Sequence, residues 1–178
     1  MAEFVMKDLV KKAGLENQFR IASAATSTEE IGNPVYPPAR RKLAEHGIGC
    51  AGKTARQLTR SDYEAYDLLI GMDQANLRNI RRICGGDPEG KVHLLLEYAG
   101  GRKGSPREHS EAGRAGGGEA RGRSEFSPQV ETEGSGLCFD EVADPWYTGD
   151  FEATWRDVLA GCQGLLRILT GEEGLPVC

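Results

Sequence analysis

The stretches Leu68-Leu-Ile-Gly-Met-Asp73 and Val92-His-Leu-Leu-Leu96 decide the fold class of this chain. Each is a nearly continuous apolar run of strand length, which is typical of a strand buried on both faces of a parallel sheet. Between the two runs, Ala75, Leu77 and Ile80 have helical spacing. Alternation of strands and helices predicts an α/β protein, whose ligand sites lie at the carboxyl ends of the strands.

Further elements are predicted on both sides of these runs. Apolar residues at helical spacing over residues 2–14 predict a first helix that ends at Gly14, and Phe19–Ala24 predicts a short strand. The Pro37-Pro38 pair opens a second helix, which Gly47 closes.

Two later helices have clearer signals. Thr59 and Asp62 have the spacing of a capping box and predict a helix start at residue 59. Towards the C-terminus, the apolar residues from Phe151 to Leu169 follow helical spacing closely, and their stripe is expected to cover a sheet.

Composition limits the functional classes. With 178 residues and 39% hydrophobic content, the chain suits one domain with an additional segment outside its core. The net charge of −5, with both signs interspersed, predicts binding to neither nucleic acid nor an anionic membrane. No apolar run has the length of a spanning helix.

The cysteines indicate a reducing compartment. Their number is odd, they are widely spaced, and no C-x-x-C pair occurs, so neither a disulfide framework nor a zinc site is predicted. We therefore expect a cytoplasmic protein. The five cysteines are Cys50, Cys84, Cys138, Cys162 and Cys178.

Residues 100–140 differ from the rest of the chain. Gly, Ser, Glu and Arg dominate this segment, and it contains hardly an apolar residue before Phe126. A segment of this composition buries too little apolar surface to offset the conformational entropy lost on ordering. It is therefore predicted to be a disordered, low-complexity insertion.

The stretch Glu141-Val-Ala-Asp-Pro-Trp-Tyr-Thr-Gly-Asp150 is the strongest candidate for chemistry. Pro145 biases Asp144 away from helical conformation, so its carboxyl group is expected on a loop. Trp146 and Tyr147 are large amphipathic rings that suit a pocket wall. A plain turn followed by a helix cap is the alternative interpretation.

Two other motifs lack the context that they need. Gly47 to Thr54 matches the phosphate-binding pattern G-x-x-x-x-G-K-T, but that motif follows a strand and opens a helix, whereas Gly47 ends a predicted helix. Cys50 and Arg56 have the C-x5-R spacing of a cysteine phosphatase, but no helix N-terminus is predicted after Cys50 to stabilise its thiolate.

Several ordered segments together resemble the low-molecular-weight protein tyrosine phosphatases, in the order found in that family. They cover nearly all of the chain except residues 100–140. The matching segments are Ser23-Ala-Ala-Thr-Ser, Glu30-Ile-Gly-Asn-Pro34, His46-Gly-Ile48, Ala55-Arg-Gln57, Met72-Asp73 with Asn76-Leu77-Arg78, Asp144-Pro-Trp-Tyr and Asp150-Phe-Glu.

The resemblance implies a fold and a reaction. The fold is a three-layer α/β/α architecture with a small parallel sheet of four strands. The reaction is hydrolysis of phosphotyrosine, in a protein or a small aryl phosphate, through a phosphocysteine intermediate and without cofactor or metal.

The same resemblance implies roles for individual residues. Asp144 corresponds to the general acid and base, and Trp146 and Tyr147 flank the substrate ring. Glu29 lies where a residue walls the pocket, and Ser23 matches a serine that supports the phosphate-binding loop.

This sequence also departs from the pattern of the family. In relatives, a first strand and a C-x5-R loop precede Ser-Pro and then Met-Ala-Glu, and this sequence begins at Met-Ala-Glu. The first, central strand, the nucleophile and the phosphate-binding arginine are therefore expected to be absent, and these 178 residues alone are expected to be poorly folded and inactive. Lys53 stands where some relatives place a histidine.

These observations predict a domain organisation and leave alternatives open. Residues 1–99 and 141–172 are expected to form an N-terminally truncated phosphatase domain, with the insertion at 100–140 and a tail at 173–178. One alternative is a non-catalytic pseudophosphatase or binding module. A nucleotide-binding protein that uses Gly47 to Thr54 is a third possibility.

Overall fold

The computed structural model describes residues 1–100, 141–145 and 149–171. Five helices and two strands lie in these ranges: α1 (Ala2–Lys12), α2 (Pro37–Glu45), α3 (Arg60–Ala65), β1 (Leu69–Gly71), α4 (Gln74–Cys84), β2 (Val92–Leu94) and α5 (Phe151–Thr170). Short 3-10 turns follow α1, at Glu16–Gln18, and β2, at Leu95–Glu97.

The two strands confirm the predicted parallel sheet. Strands β1 and β2 pair in parallel, with Leu69 opposite Val92 and Gly71 opposite Leu94. Helix α4 connects them, as expected for a crossover between parallel strands. The second strand ends two residues earlier than the apolar run predicted, because Leu95 to Glu97 form a 3-10 turn.

The sheet separates two hydrophobic clusters. On one side, Leu69 packs with α3 and α4 around Tyr63, Leu77 and Ile80. On the other side, Leu68 and Ile70 pack against the cluster of α1, α2 and α5. Neighbouring residues of a strand point to opposite faces, so the continuous apolar run serves both clusters and gives the predicted three layers. The buried residues of the larger cluster are Val5, Met6, Val10, Leu43, Leu95, Val142, Trp155, Val158, Cys162, Leu165 and Leu166.

The predicted helix boundaries are mostly confirmed. Helix α2 starts with Pro37, and the chain leaves it through Gly47 at φ +71°. The backbone N–H of Thr59 donates to Asp62 Oδ2 at 2.8 Å, which is the predicted capping contact of α3. Asp150 caps α5 by accepting from the backbone N–H groups of Glu152 and Ala153.

The predicted strand at Phe19–Ala24 is wrong. Phe19 has extended backbone angles, but residues 19–24 form no strand, and the adjacent Ala25 pairs in an isolated parallel bridge with Gln57. A strand needs a neighbour along several residues, and none of the described segments lies beside Phe19–Ala24 in that way.

Within the described ranges, no helix combines the length and the apolar character required to span a bilayer. The predicted insertion at 100–140 and the tail at 173–178 lie outside these ranges, apart from Gly100.

Candidate active site

Residues 141–143 attach the Asp144 loop to the carboxyl end of β1. The backbone N–H of Val142 donates to the carbonyl oxygen of Met72 at 2.9 Å. The carboxylate of Glu141 accepts from the backbone N–H of Gln74 at 3.0 Å, at the start of α4. The loop therefore lies at the edge of the sheet where α/β proteins place their ligand sites.

The turn before α4 is itself well ordered. Asp73 caps the helix by accepting from the backbone N–H of Asn76, and the side-chain oxygen of Asn76 accepts from the backbone N–H of Met72 at 3.3 Å. These contacts satisfy backbone groups that a helix start leaves without partners. They give the Asp144 loop a rigid attachment point.

Asp144 lies on this loop, as predicted, and it is exposed. Pro145 follows it directly, and the backbone N–H of Gly149 donates to the carbonyl oxygen of Pro145 at 2.9 Å, which closes a tight turn before α5. Trp146 and Tyr147 lie outside the described residues. Their predicted contact with a substrate ring stays a prediction.

Ser23 and Lys53 meet at a buried carboxylate. The hydroxyl of Ser23 donates to Glu3 Oε2 at 2.5 Å, and the ammonium of Lys53 lies 2.7 Å from the same oxygen. Lys7 contacts the other oxygen of Glu3 at 2.6 Å, and only 5% of the Glu3 side chain is exposed. Lys53 also donates to the carbonyl oxygen of Ser23 at 3.3 Å.

The surroundings of Glu3 favour its ionised form. Burial alone raises the pKa of a carboxyl group, but the hydrogen bonds from Lys53, Lys7 and Ser23 outweigh burial and lower the pKa of Glu3 to about 2. Glu3 also lies in the first turn of α1, where a negative charge is favoured. Glu3 was not among the residues predicted to form the site, and its position four residues before Lys7 is the one sequence signal of an ion pair.

The structure places Glu29 in an exposed turn of the loop between Ala25 and Ile31. The nearby bridges from Ile31 to Ala55 and from Pro34 to Thr54 hold this loop against residues 54–57. The predicted role of Glu29 as a pocket wall stays a prediction.

The two rejected motifs have other structural roles. No helix starts within Gly47 to Thr54, since α3 begins only at Arg60, and Lys53 is engaged by Glu3. Arg56 forms a bidentate ion pair with Asp62 at 2.8 and 2.9 Å, which lowers the pKa of Asp62 to about 2. Cys50 is half-buried and packs against the larger cluster. The geometry thus favours neither a nucleotide site nor a thiolate nucleophile here.

The buried cysteines are also unsuited to nucleophilic chemistry. Burial raises the pKa of the Cys162 thiol to about 12 and raises that of Cys84. A thiol attacks as its thiolate, so a raised pKa opposes reactivity.

Comparison with known proteins identifies the family. A family model described as "Low molecular weight phosphotyrosine protein phosphatase" matches residues 1–112. The chain belongs to this family, as the sequence motifs predicted.

Similarity to individual relatives supports the same family. The chain is 29% identical over 175 residues to the low molecular weight protein-tyrosine-phosphatase YfkJ of Bacillus subtilis, a match that covers 98% of this chain and 90% of that protein. It is 40% identical over 100 residues to the low molecular weight phosphotyrosine protein phosphatase of Gallus gallus, covering 55% of this chain and 63% of that protein.

Solved structures show the same fold. The crystal structure of YfkJ from Bacillus subtilis superimposes with a TM-score of 0.71 at 27% identity, covering 97% of this chain and 87% of that one. The low molecular weight protein tyrosine phosphatase from Streptococcus pyogenes gives a TM-score of 0.66 at 28% identity, covering 94% and 82%.

Proposed function

We propose that the Asp144 loop and the elements that hold it form the acid–base part of a protein-tyrosine phosphatase. This enzyme hydrolyses aryl phosphate monoesters, with phosphotyrosine as substrate. The observation that carries this proposal is the exposed Asp144, held beside the carboxyl end of β1 by Glu141 and Val142. The names of the relatives from Bacillus subtilis and Gallus gallus support the same reaction.

In the proposed reaction, a cysteine thiolate attacks phosphorus, and the bond between phosphorus and the aryl oxygen breaks. Asp144 donates its proton to the departing phenolate, which leaves as a phenol. The Asp144 carboxylate then accepts a proton from a water molecule whose oxygen attacks phosphorus. The phosphorus–sulfur bond breaks, and inorganic phosphate and the thiolate are released.

The nucleophile in this proposal is not among the 178 residues. The single C-x5-R spacing in the sequence is Cys50 to Arg56, and Arg56 is occupied by Asp62. We propose that a strand and a C-x5-R loop from outside these residues complete the site next to Ser23 and Glu3. Reading the genomic DNA upstream of Met1 for an in-frame C-x5-R-S-P tests this directly.

An open slot in the sheet supports the same proposal. The slot is a cavity of about 100 Å³ whose lining includes Ala22, Ala24 and the segment Leu68 to Ile70. The other lining residues are Arg56, Leu58, Asp62, Tyr66 and Ile80. The backbone N–H and C=O of Ala25 bond to Arg56 and Leu58, and the N–H of Leu69 bonds to Lys91. Since backbone groups alternate along extended chain, we expect those of Ala24 and Ile70 to point away from these partners and towards the slot.

The remaining predictions of the sequence analysis become parts of this proposal. Residues 1–99 and 141–172 form the phosphatase domain, with 100–140 as an insertion and 173–178 as a tail. Cys50, Cys84 and Cys162 are free thiols, which is consistent with a reducing cytoplasm.

The proposal is tested by removing the acid. We define the extended chain as these 178 residues preceded by a strand and a C-x5-R-S-P segment. In the extended chain, Asp144→Ala is expected to lower turnover of phosphotyrosine by roughly 10² to 10⁴-fold, because the acid acts in the transition state. The Michaelis constant is expected to change little.

Asp67→Ala is the matched control, since Asp67 is an exposed carboxylate at the amino end of β1, opposite the end that holds Asp144. It is expected to leave turnover unchanged. Equal losses of turnover and binding in Asp144→Ala, or equal effects of the two substitutions, would contradict the assignment of Asp144 as the acid.

A further inference from the structure

Two side chains of α5 hold the residue that precedes Asp144. The backbone N–H of Ala143 donates to Asp157 Oδ2 at 3.1 Å, and its carbonyl oxygen accepts from the hydroxyl of Thr154 at 2.8 Å. Thr154 is a buried polar residue, 6% exposed. Both polar groups of the Ala143 backbone are therefore satisfied by one helix.

The hydroxyl of Thr154 contacts a residue outside its own helix, in addition to the usual contact of a threonine within a helix. A helical threonine commonly donates to the carbonyl four residues earlier, and the Asp150 carbonyl oxygen does lie 3.1 Å from this hydroxyl. The Ala143 oxygen is nearer, at 2.8 Å, and it belongs to a segment outside the helix. The hydroxyl therefore joins the loop to the helix.

These contacts leave the Asp144 backbone little freedom. The carbonyl group of Ala143 lies in the same peptide plane as the nitrogen of Asp144, so Thr154 fixes the orientation of that plane. On the other side, Pro145 restricts the backbone angles of Asp144. The position of the Asp144 backbone therefore depends on the contacts of Ala143 with α5.

We propose that Thr154 and Asp157 are positioning residues for the general acid. This inference rests on the proposed role of Asp144 and deepens it. A misplacement of a catalytic group by about 1 Å lowers rates by up to 10²-fold, so loss of one of two anchors is expected to lower the acid-dependent rate about tenfold.

The loop keeps other attachments when the Thr154 hydroxyl is removed. Val142 remains bonded to Met72, Glu141 to Gln74, and the N–H of Ala143 to Asp157. Thr154→Val preserves the shape of the side chain and replaces the hydroxyl by a methyl group, which cannot donate a hydrogen bond. The fold is therefore expected to persist, and thermal unfolding of the variant checks this.

The test uses the extended chain and two substrates that differ in their need for an acid. Phenyl phosphate releases a strongly basic phenolate, whereas para-nitrophenyl phosphate releases a weakly basic one. In Thr154→Val we expect kcat/KM for phenyl phosphate to fall about tenfold and that for para-nitrophenyl phosphate to fall less than about threefold.

Matched measurements separate positioning from general damage. Thr154→Ser retains the hydroxyl and is expected to restore both rates, and competitive inhibition by inorganic phosphate is expected to stay unchanged in Thr154→Val. In an Asp144→Ala background, Thr154→Val is expected to have no further effect, because the group that it positions has gone.

Equal losses with both substrates, or the same loss when Asp144 is already Ala, would overturn the positioning role. A different result identifies failure of the proposed function. If Asp144→Ala itself shows no dependence on the leaving group, Asp144 is not the acid, whatever Thr154→Val does.

Discussion

Glu3 combines a buried carboxylate with three hydrogen-bond donors from three segments of the chain. Lys7 comes from the same helix, Ser23 from the extended segment after it, and Lys53 from the loop before α3. A buried charge is tolerated only when its partners are complete. Glu3 therefore organises the side of the site on which the phosphate-binding loop is proposed to lie.

Glu3→Gln is expected to destabilise the extended chain at pH 7 by on the order of 3 kcal/mol, the free energy that corresponds to the lowered pKa. The pKa is lowered from 4.5 to about 2. The stabilisation is therefore complete above pH 4.5 and disappears as the pH falls towards 2. Urea unfolding of the extended chain and of its Glu3→Gln variant at pH 7 and pH 3 measures the difference in their free energies of unfolding, which is expected to be smaller at pH 3.

Asp8→Asn serves as the control for Glu3→Gln. Asp8 pairs with Lys12 on the same helix at 2.8 Å, but 70% of the Lys12 side chain is exposed. Such surface pairs contribute about 0.3 to 0.5 kcal/mol. A loss in Asp8→Asn as large as that in Glu3→Gln would show that burial does not strengthen the Glu3 network.

At the level of elements, α5 is the most important helix because it connects the larger cluster with the Asp144 loop. Asp150 caps its N-terminus, and Thr154 and Asp157 in its N-terminal half contact the loop. Lys42 of α2 bonds to Glu152, and His46 stacks on Trp155 with ring centroids 3.7 Å apart. The position of α5 therefore determines both the packing of the larger cluster and the placement of the Asp144 loop.

The C-terminal half of α5 lies directly against the backbone after β2. A Cβ atom at Gly161 would lie 2.9 Å from the carbonyl oxygen of Leu95, and one at Gly164 would overlap the carbonyl oxygen of Tyr98. These two glycines allow a close approach that larger residues prevent. Apolar periodicity does not predict these glycines, because glycine in a helix normally lowers helix propensity.

Gly164→Ala is consequently expected to destabilise the extended chain by about 1 to 3 kcal/mol, although alanine favours helix formation by about 1 kcal/mol. Thermal or urea unfolding measures the change. Gln163→Ala, at the adjacent half-buried position, has no such overlap and is expected to be nearly neutral. Stabilisation by Gly164→Ala would show that the helix does not pack this closely on Tyr98.

At the level of the whole molecule, a strand that fills the open slot is expected to increase stability and to complete the active site. The backbone groups of half-buried Ala24 and Ile70 are expected to gain partners from a strand that enters the slot, and a fully buried group without a partner costs roughly 1 to 3 kcal/mol. Proteins of this size have a total stability of only about 5 to 15 kcal/mol. Completing the sheet is therefore expected to affect the whole fold.

A polypeptide of exactly these 178 residues is expected to unfold at lower temperature than the extended chain and to hydrolyse no para-nitrophenyl phosphate. Circular dichroism during heating measures the first difference, and release of nitrophenolate measures the second. An extended chain with Ser in place of its nucleophilic Cys is the control that restores the strand without the reaction. Cooperative unfolding and hydrolysis by the 178 residues alone would refute the expectation.

Much of the fold followed from sequence patterns because those patterns are local. The apolar runs at Leu68 and Val92 predicted the parallel strands, and the stripe from Phe151 to Leu169 predicted α5. The segment Phe19–Ala24 misled because its composition suits a strand, but pairing requires a neighbour that no described segment supplies.

The sequence by itself determined the three layers, the family and the candidate acid Asp144, because each depends on residue order and periodicity along the chain. Only the tertiary structure decided how Asp144 is held, that Glu3 joins Ser23 and Lys53, and that Arg56 belongs to Asp62. The physical reason is distance along the chain. Thr154 meets Ala143, and Ser23 meets Glu3, only after the helices have packed, and no local spacing encodes such contacts.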